Sequence, residues 1–331
     1  MGLILAVVAP VFLSSCERIR DDMGDCGIYL EFIYDYNMEY SDAFDPQVGT
    51  IDIFVFDAGG RYLFTERSRR EELAGGKRMF LGNGLVAGQY KILTIGGMSE
   101  SFSISDGNGG SLSPGITMLE DVRIALVRGS ATVSHEFPPL WVGKTTEVDY
   151  RGNLSVWPIY LVKNTNRFNM VLATSDGGES TQPEGASYTF GIITPEGAVY
   201  GDDNLPQNDE TVTYTPYSMA AGEKPDELWA GRINTARLFY GENYTYRIVV
   251  RETTTGQTLW NYDLMKLLEL TKPASRPDGT ALPMQEYLDR QSEWNIVILY
   301  KGSVDPEEAI SFIAVGVAVN NWILWLKDID M

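Results

Sequence analysis

Few side chains in this sequence combine in ways that support chemistry. There is one histidine, His135. A zinc site built on several histidines is therefore excluded, and a Ser-His-acid triad would have to use His135. That residue lies in Val133-Ser134-His135-Glu136-Phe137-Pro138-Pro139, which reads as a strand end entering a proline turn. No nucleophile elbow accompanies it, so a structural or exposed histidine is expected. Asp106-x-Asn108-x-Gly110 resembles the start of a calcium loop but lacks a distal bidentate Glu at the required spacing. A plain glycine-rich loop is the expectation there. Asn83-Gly84 and Gly96-Gly97 read as turns, since no phosphate-binding fingerprint leads from a strand into a helix. A glycosidase needs two facing carboxylates, and 45 acidic residues make pairs unavoidable without nominating one. The chain is read as a non-enzyme, with no catalytic residue, metal or cofactor assigned.

The cysteines carry more information. There are two, Cys16 and Cys26, and an even count suggests a disulfide. The N-terminus suggests otherwise. Leu3 to Leu13 is an apolar run interrupted by Pro10, too short to span a bilayer as a permanent helix but suited to the h-region of a secretion signal. No Lys or Arg precedes it, as would follow from a start codon placed too late or from a short n-region. Leu13-Ser14-Ser15-Cys16 then resembles a bacterial lipobox. Cleavage between Ser15 and Cys16 would leave Cys16 to carry diacylglycerol, so residues 1–15 are read as a lipoprotein signal peptide and 16–27 as a lipidated tether. Acyl chains contribute about 0.8 kcal/mol per buried CH₂, and several together hold a protein on a membrane. Cys26 is then a lone thiol, expected to be buried and inert.

The bulk numbers bound the partners and the size, and the acidity itself reads as solubility. A net charge of −19 argues against nucleic acid, whose phosphates would repel it, and against charge-driven attachment to anionic lipid. A length of 331 residues exceeds what one core usually serves. Residues 26–57 set the pattern for the rest. Ile28, Leu30, Phe32 and Tyr34 share one face of a strand, and Ile51, Ile53 and Val55 alternate with Asp52, Phe54 and Phe56 in the next. Strands are expected at 28–35, 50–57, 61–66, 77–81, 89–95, 117–127 and 140–150, separated by glycine-rich turns. A break near Arg151-Gly152-Asn153 divides the chain into 28–152 and 153–331. The second part has strands at 154–162, 167–174, 187–193, 211–216, 244–252 and 257–261, then short helices at 263–270 and 283–291. It closes on strands at 293–300 and 310–327, with Asn320-Asn321 breaking the last run. Asp263 is a possible helix cap, and Pro283 suits a first helical position.

Several stretches together resemble the FimB-like fimbrial anchor family of Bacteroidales. They are Cys26-Gly27-Ile28-Tyr29-Leu30, Tyr34-Asp35-Tyr36-Asn37, Asp42-Ala43-Phe44, Ile53-Phe54-Val55-Phe56-Asp57, Leu140-Trp141-Val142-Gly143, Lys163-Asn164-Thr165-Asn166-Arg167-Phe168, Gln285-Glu286-Tyr287-Leu288-Asp289-Arg290-Gln291 and Asn321-Trp322-Ile323. In one place the chain departs: where the family often shows a His-Gly pair, this sequence has His135-Glu136-Phe137-Pro138-Pro139-Leu140. The resemblance implies an all-β protein of two transthyretin-like β-sandwich domains with a few short helices in the second. It implies an outer-membrane lipoprotein that attaches a fimbria to the cell surface, limits its length and contributes to adhesion.

The partner so implied is a fimbrial shaft subunit, joined by β-strand addition through main-chain hydrogen bonds. Residues 312–326 could be an exchanged strand; a core strand is expected, because a solitary exposed apolar strand invites aggregation. The alternative is a surface glycan-binding β-sandwich lipoprotein. Seven tryptophans and eighteen tyrosines permit it, with Trp141, Trp157, Trp229 and Trp260 as possible platforms, and an exposed coplanar aromatic pair would favour it.

Overall fold

The computed structural model describes residues 27–82, 85–175, 187–208, 210–301, 313–320 and 322–325. Ser15, Cys16 and Cys26 lie outside the described residues. In chain order the strands are β1 (Ile28–Ile33), β2 (Thr50–Asp57), β3 (Tyr62–Arg69), β4 (Arg78–Leu81), β5 (Gly88–Gly96), β6 (Phe102–Ser105), β7 (Arg123–Leu126), β8 (Thr132–Val133), β9 (Trp141–Tyr150) and β10 (Ser155–Lys163). They continue with β11 (Thr165–Thr174), β12 (Tyr188–Thr194), β13 (Val199–Tyr200), β14 (Val212–Tyr214), β15 (Ser218–Ala221), β16 (Glu227–Ala236), β17 (Arg247–Glu252), β18 (Thr258–Asp263), β19 (Glu293–Lys301), β20 (Ile313–Val319) and β21 (Trp322–Trp325). The short helices are α1 (Phe44–Gln47), α2 (Leu264–Leu270) and α3 (Met284–Arg290). The protein is all-β, as its alternating pattern requires.

A seven-stranded sheet runs β3-β2-β5-β9-β10-β1-β4. Its centre is buried on both faces, which is why Thr50–Asp57 reads as a nearly continuous apolar run. Ile51, Ile53 and Val55 join β1's Ile28, Leu30 and Phe32 in one core. Phe54 and Phe56 point the other way, into a larger core. That larger core is continuous with Phe168, Phe190, Tyr246 and Trp294 of the C-terminal half, where a six-stranded sheet (β15-β16-β11-β19-β20-β21) faces a five-stranded one (β18-β17-β12-β14-β8). A three-stranded sheet, β13-β7-β6, sits between, and β7 and β8 of the N-terminal half pair with β13 and β14 of the C-terminal half.

Three expectations change. The sequence pattern places residues 154–162 in the second unit, but β10 completes the first sheet, pairing parallel with β1 and antiparallel with β9. A parallel partner cannot be a hairpin neighbour, so sequence proximity does not reveal it. The strand expected over 117–127 opens instead as a 3₁₀ turn, Leu119–Asp121, before β7. The spacing explains this: buried Leu119 and Val122 are three apart, as in a turn, whereas Val122, Ile124 and Leu126 alternate. The expectation also passed over β16, the antiparallel partner of β11 along nearly its whole length. By contrast, Asp263 caps α2 as its position suggests, accepting from the Met265 N–H at 2.9 Å and the Lys266 N–H at 3.3 Å, while Pro283 takes the N-cap of α3 rather than its first helical position. The break at Asn320, with φ of 45°, turns β20 back into β21; β20 pairs with β19 of the same chain and buries Val317 and Val319. Gly97 has φ of 75°, and a Cβ there would lie 2.5 Å from the Pro139 carbonyl oxygen, so this turn requires glycine.

Candidate functional site: the junction of the two halves

Four of the stretches that carry the family resemblance, 34–37, 42–44, 163–168 and 285–291, meet in one place. The loop leaving β1, the passage from β10 to β11, and α3 converge where the first sheet joins the C-terminal half. The loop is built by short polar side chains. The Asp42 carboxylate accepts from the Tyr34 N–H at 3.0 Å and the Phe44 N–H at 3.1 Å. The Asn37 amide donates to the carbonyls of Tyr34 at 3.0 Å and Ser41 at 2.8 Å. These bonds hold Tyr36 and Tyr40 outward as a pair, and Arg290 of α3 enters between them. Its guanidinium lies 4.2 Å from each ring centroid and donates to the carbonyls of Asp35 at 2.9 Å and Asn37 at 3.1 Å. A guanidinium over aromatic faces is worth about 0.5–2 kcal/mol per ring.

The neighbouring Asp289 points the opposite way. It takes a bidentate pair from Arg237, just past β16, at 2.7 and 2.8 Å, and a third bond from Gln285 at 3.0 Å. Arg237 also donates to the Asn204 carbonyl at 2.8 Å. Asn204 in turn exchanges side-chain amide bonds with Asn164, the single residue between β10 and β11. Consecutive residues of α3 thus fasten the N-terminal loop and the C-terminal sheet together. Glu286 braces the arrangement by accepting from Arg276 and Arg290, each at 2.8 Å. The Arg276 bond above all, with help from Arg290, holds the Glu286 carboxyl below the usual carboxylate range against its partial burial. Burial, reinforced by Asp289 and Glu286, pushes the Tyr36 hydroxyl up to about 12. On the β10 side, the Lys163 ammonium donates to Ser292 Oγ at 3.1 Å, and burial lowers its pKa. Asn166 bonds the Ala236 carbonyl at 3.0 Å, which seats β11 against β16.

This arrangement positions and joins; it presents no reacting pair. The other candidate residues lie apart from it. His135 is exposed, its ring 6.2 Å from that of Phe137. Asp106 turns its carboxylate onto the N–H groups of Asn108 and Gly110 in its own loop, at 3.0 and 2.7 Å. Among the described residues no group of three His, Cys, Asp or Glu side chains is placed to hold a metal. Trp141 and Trp260 are buried, and Trp157 and Trp229 pack against the two cores. Trp260 and Tyr262 are coplanar within 5°, but Trp260 is only 7% exposed, so the pair offers no open platform. Among the described residues no helix is long and apolar enough to cross a membrane.

A second buried acid, Glu196, lies in the turn after β12. Among the described residues neither of its oxygens has a partner within hydrogen-bond geometry, and the same holds for the buried hydroxyls of Tyr200 and Tyr214. Burial pushes the Glu196 carboxyl up to about 8, offset in part by the nearby Tyr246 hydroxyl. Arg237, Asn204 and Glu196 were not singled out from sequence.

Residues 23–328 match the family described as fimbrillin-A associated anchor proteins Mfa1 and Mfa2. No curated protein matches the chain by sequence. The structure is similar to that of a candidate adhesin from Bacteroides ovatus, with 41% identity and a TM-score of 0.86 over 96% of this chain and 100% of that one. It is also similar to a Bacteroides thetaiotaomicron structure described as a candidate polysaccharide-binding protein, at 29% identity and TM-score 0.77 over 93% and 100% of the two chains. The fimbrial anchor protein Mfa2 from Porphyromonas gingivalis shares the fold at 16% identity, with a TM-score of 0.67 over 90% of this chain and 98% of that one.

Proposed function

The chain belongs to the fimbrillin-A associated anchor proteins, and on that premise we propose that it holds the base of a fimbria at the cell surface. In this reading, cleavage between Ser15 and Cys16 leaves an acylated Cys16 in the outer membrane, and residues 16–27 tether the folded part to it. The observation that carries the reading is the family match across nearly the whole chain, together with the meeting of four of the resembling stretches, 34–37, 42–44, 163–168 and 285–291, at one junction. That junction couples β1, the strand next to the tether, to the sheets of the C-terminal half. Two sandwich units divided at Asn164, rather than after Gly152, suit this coupling. The six-stranded sheet ends in β15 and β21, and such edges can receive or donate a strand of a shaft subunit through main-chain bonds.

Length control follows from the same chemistry. An acylated base cannot leave the membrane, so its docking fixes one end of the growing polymer. Deleting the gene should leave shaft subunits expressed while filaments lengthen, detach and accumulate in the medium. Electron microscopy with a blot for shed fimbriae reads this out, and filaments of normal length and retention in the deletion strain would rule the anchor role out. The polysaccharide-binding description of the Bacteroides thetaiotaomicron relative points to the glycan alternative, but the coplanar pair Trp260–Tyr262 does not carry it, because Trp260 is buried.

A further inference from the structure

One face of the seven-stranded sheet is left open at its β10–β1–β4 end. On β10 every second residue from Val156 to Tyr160 points outward, so Val156, Pro158 and Tyr160 form a row that Leu154, just before the strand, extends, with Leu154 45%, Val156 46% and Tyr160 57% exposed. The parallel register sets Tyr29 beside Val156 and Ile33 beside Tyr160. On the far side of β1, Phe80 of β4 pairs with Tyr29, ring centroids 5.1 Å apart. Scattered apolar side chains need no explanation, but a contiguous patch across three strands marks an interaction surface. The patch is also locally neutral in a chain of net charge −19. Its acid, Glu31, is met by Lys77 at 3.0 Å and Arg78 at 2.9 Å, and Lys77 also reaches Asp42 at 3.5 Å.

The point of chain entry decides what covers it. The tether runs directly into Ile28, the first residue of β1 and so of the central strand of the patch. Twelve residues, 16–27, can span at most about 40 Å, so a tether of that length keeps the start of β1 near the membrane. We propose that the β10–β1–β4 face rests on the lipid bilayer, with its aliphatic side chains at the acyl boundary and Tyr29 and Tyr160 at headgroup level, where amphipathic rings are favoured. This rests on the lipid-anchor reading for its location, but not for its test.

The polypeptide from residue 17 onward keeps every described element and cannot be acylated at Cys16. It should float with vesicles of phosphatidylethanolamine and phosphatidylglycerol. The Val156→Glu/Tyr160→Glu variant should lose roughly tenfold or more in partition, since two apolar anchors are removed, with an unchanged thermal melt. Failure of the parent to float, or equal flotation of both, overturns the proposal. So does a concentration-dependent dimer of the parent that the same double substitution abolishes, which would make the face a contact between copies. Mass spectrometry of Cys16 in the native protein tests the anchor reading separately, so the two failures are distinguishable.

Discussion

Asp289 and Glu196 are about equally closed off from water, at 4% and 1% exposure. Asp289 receives three side-chain N–H bonds, two of them from a guanidinium that is itself anchored on a carbonyl. Glu196 receives none from a cation, and burial pushes its proton affinity up to about 8. Burial alone therefore does not decide what a carboxyl does for a fold; its partners do. A satisfied buried ion pair is weak evidence of net stability, but removing one partner is expensive, so at the junction the pair ties α3 to β16 in one geometry. A lone buried acid instead stays protonated and makes stability depend on pH.

The most severe way to break this comparison is to remove a partner. Arg237→Met should cost about 3–5 kcal/mol in denaturant unfolding, because it leaves Asp289 buried without its cation. Asp289→Asn should also destabilise, whereas the equivalent neutralisation Glu196→Gln should not; two substitutions of the same sign would undo the contrast.

Glu196→Gln sharpens it through pH. The folded state raises the Glu196 pKa from 4.5 to about 8, so folding favours the protonated form. That contribution is fully present below about pH 4.5 and is lost as pH rises through about 8. Stability of the natural protein and of Glu196→Gln should diverge with pH, the variant gaining on the order of 5 kcal/mol relative to the natural protein between these limits. Parallel pH profiles would show that Glu196 is solvated after all.

The smallest effect is expected at the other half of the α3 clasp. Arg290→Ala should cost about 2 kcal/mol, from two ring contacts and three charged hydrogen bonds, one of them to a Glu286 that keeps Arg276. Combined with Tyr36→Ala the loss should be less than additive, since both substitutions remove the same contact. Strict additivity in that double-mutant cycle would mean that the ring and the guanidinium do not interact.

Much of this architecture was legible in the sequence, for definite reasons. β1, β2, β5, β9 and β11 advertise themselves by alternation of β-branched and aromatic residues, and α2 by an Asp cap before apolar residues at helical spacing. β16 did not, because Glu227–Ala236 contains Gly231 and alternates poorly, its burial running irregularly. The junction was half visible. Asp289 and Arg290 stood in a stretch noted for its resemblance, but their partners Arg237 and Tyr36 lie far away in sequence, and nothing local links them. Glu196 sits in Thr194-Pro195-Glu196-Gly197, which has the composition of an exposed turn; only the packing of the tyrosine-bearing strands around it reveals the burial.

The parallel pairing of β1 with β10 has a mechanical consequence. Both strands leave the first sheet at the junction, β1 into the loop that Arg290 grips and β10 through Asn164 into β11, so their N-terminal ends lie at the far end. A tug on the segment before Gly27 therefore runs along β1 toward the junction. Directed along the strand, it loads the pairing of Ile28–Ile33 with β10 and of Ile28–Glu31 with β4 together, in shear, instead of peeling the bonds one by one. Resistance to such a tug is set by the rate of crossing the unfolding barrier and not by equilibrium stability. Held by its first strand in this way, the fold can be modest in thermodynamic stability and still give way in a single-molecule pull only by one abrupt rupture.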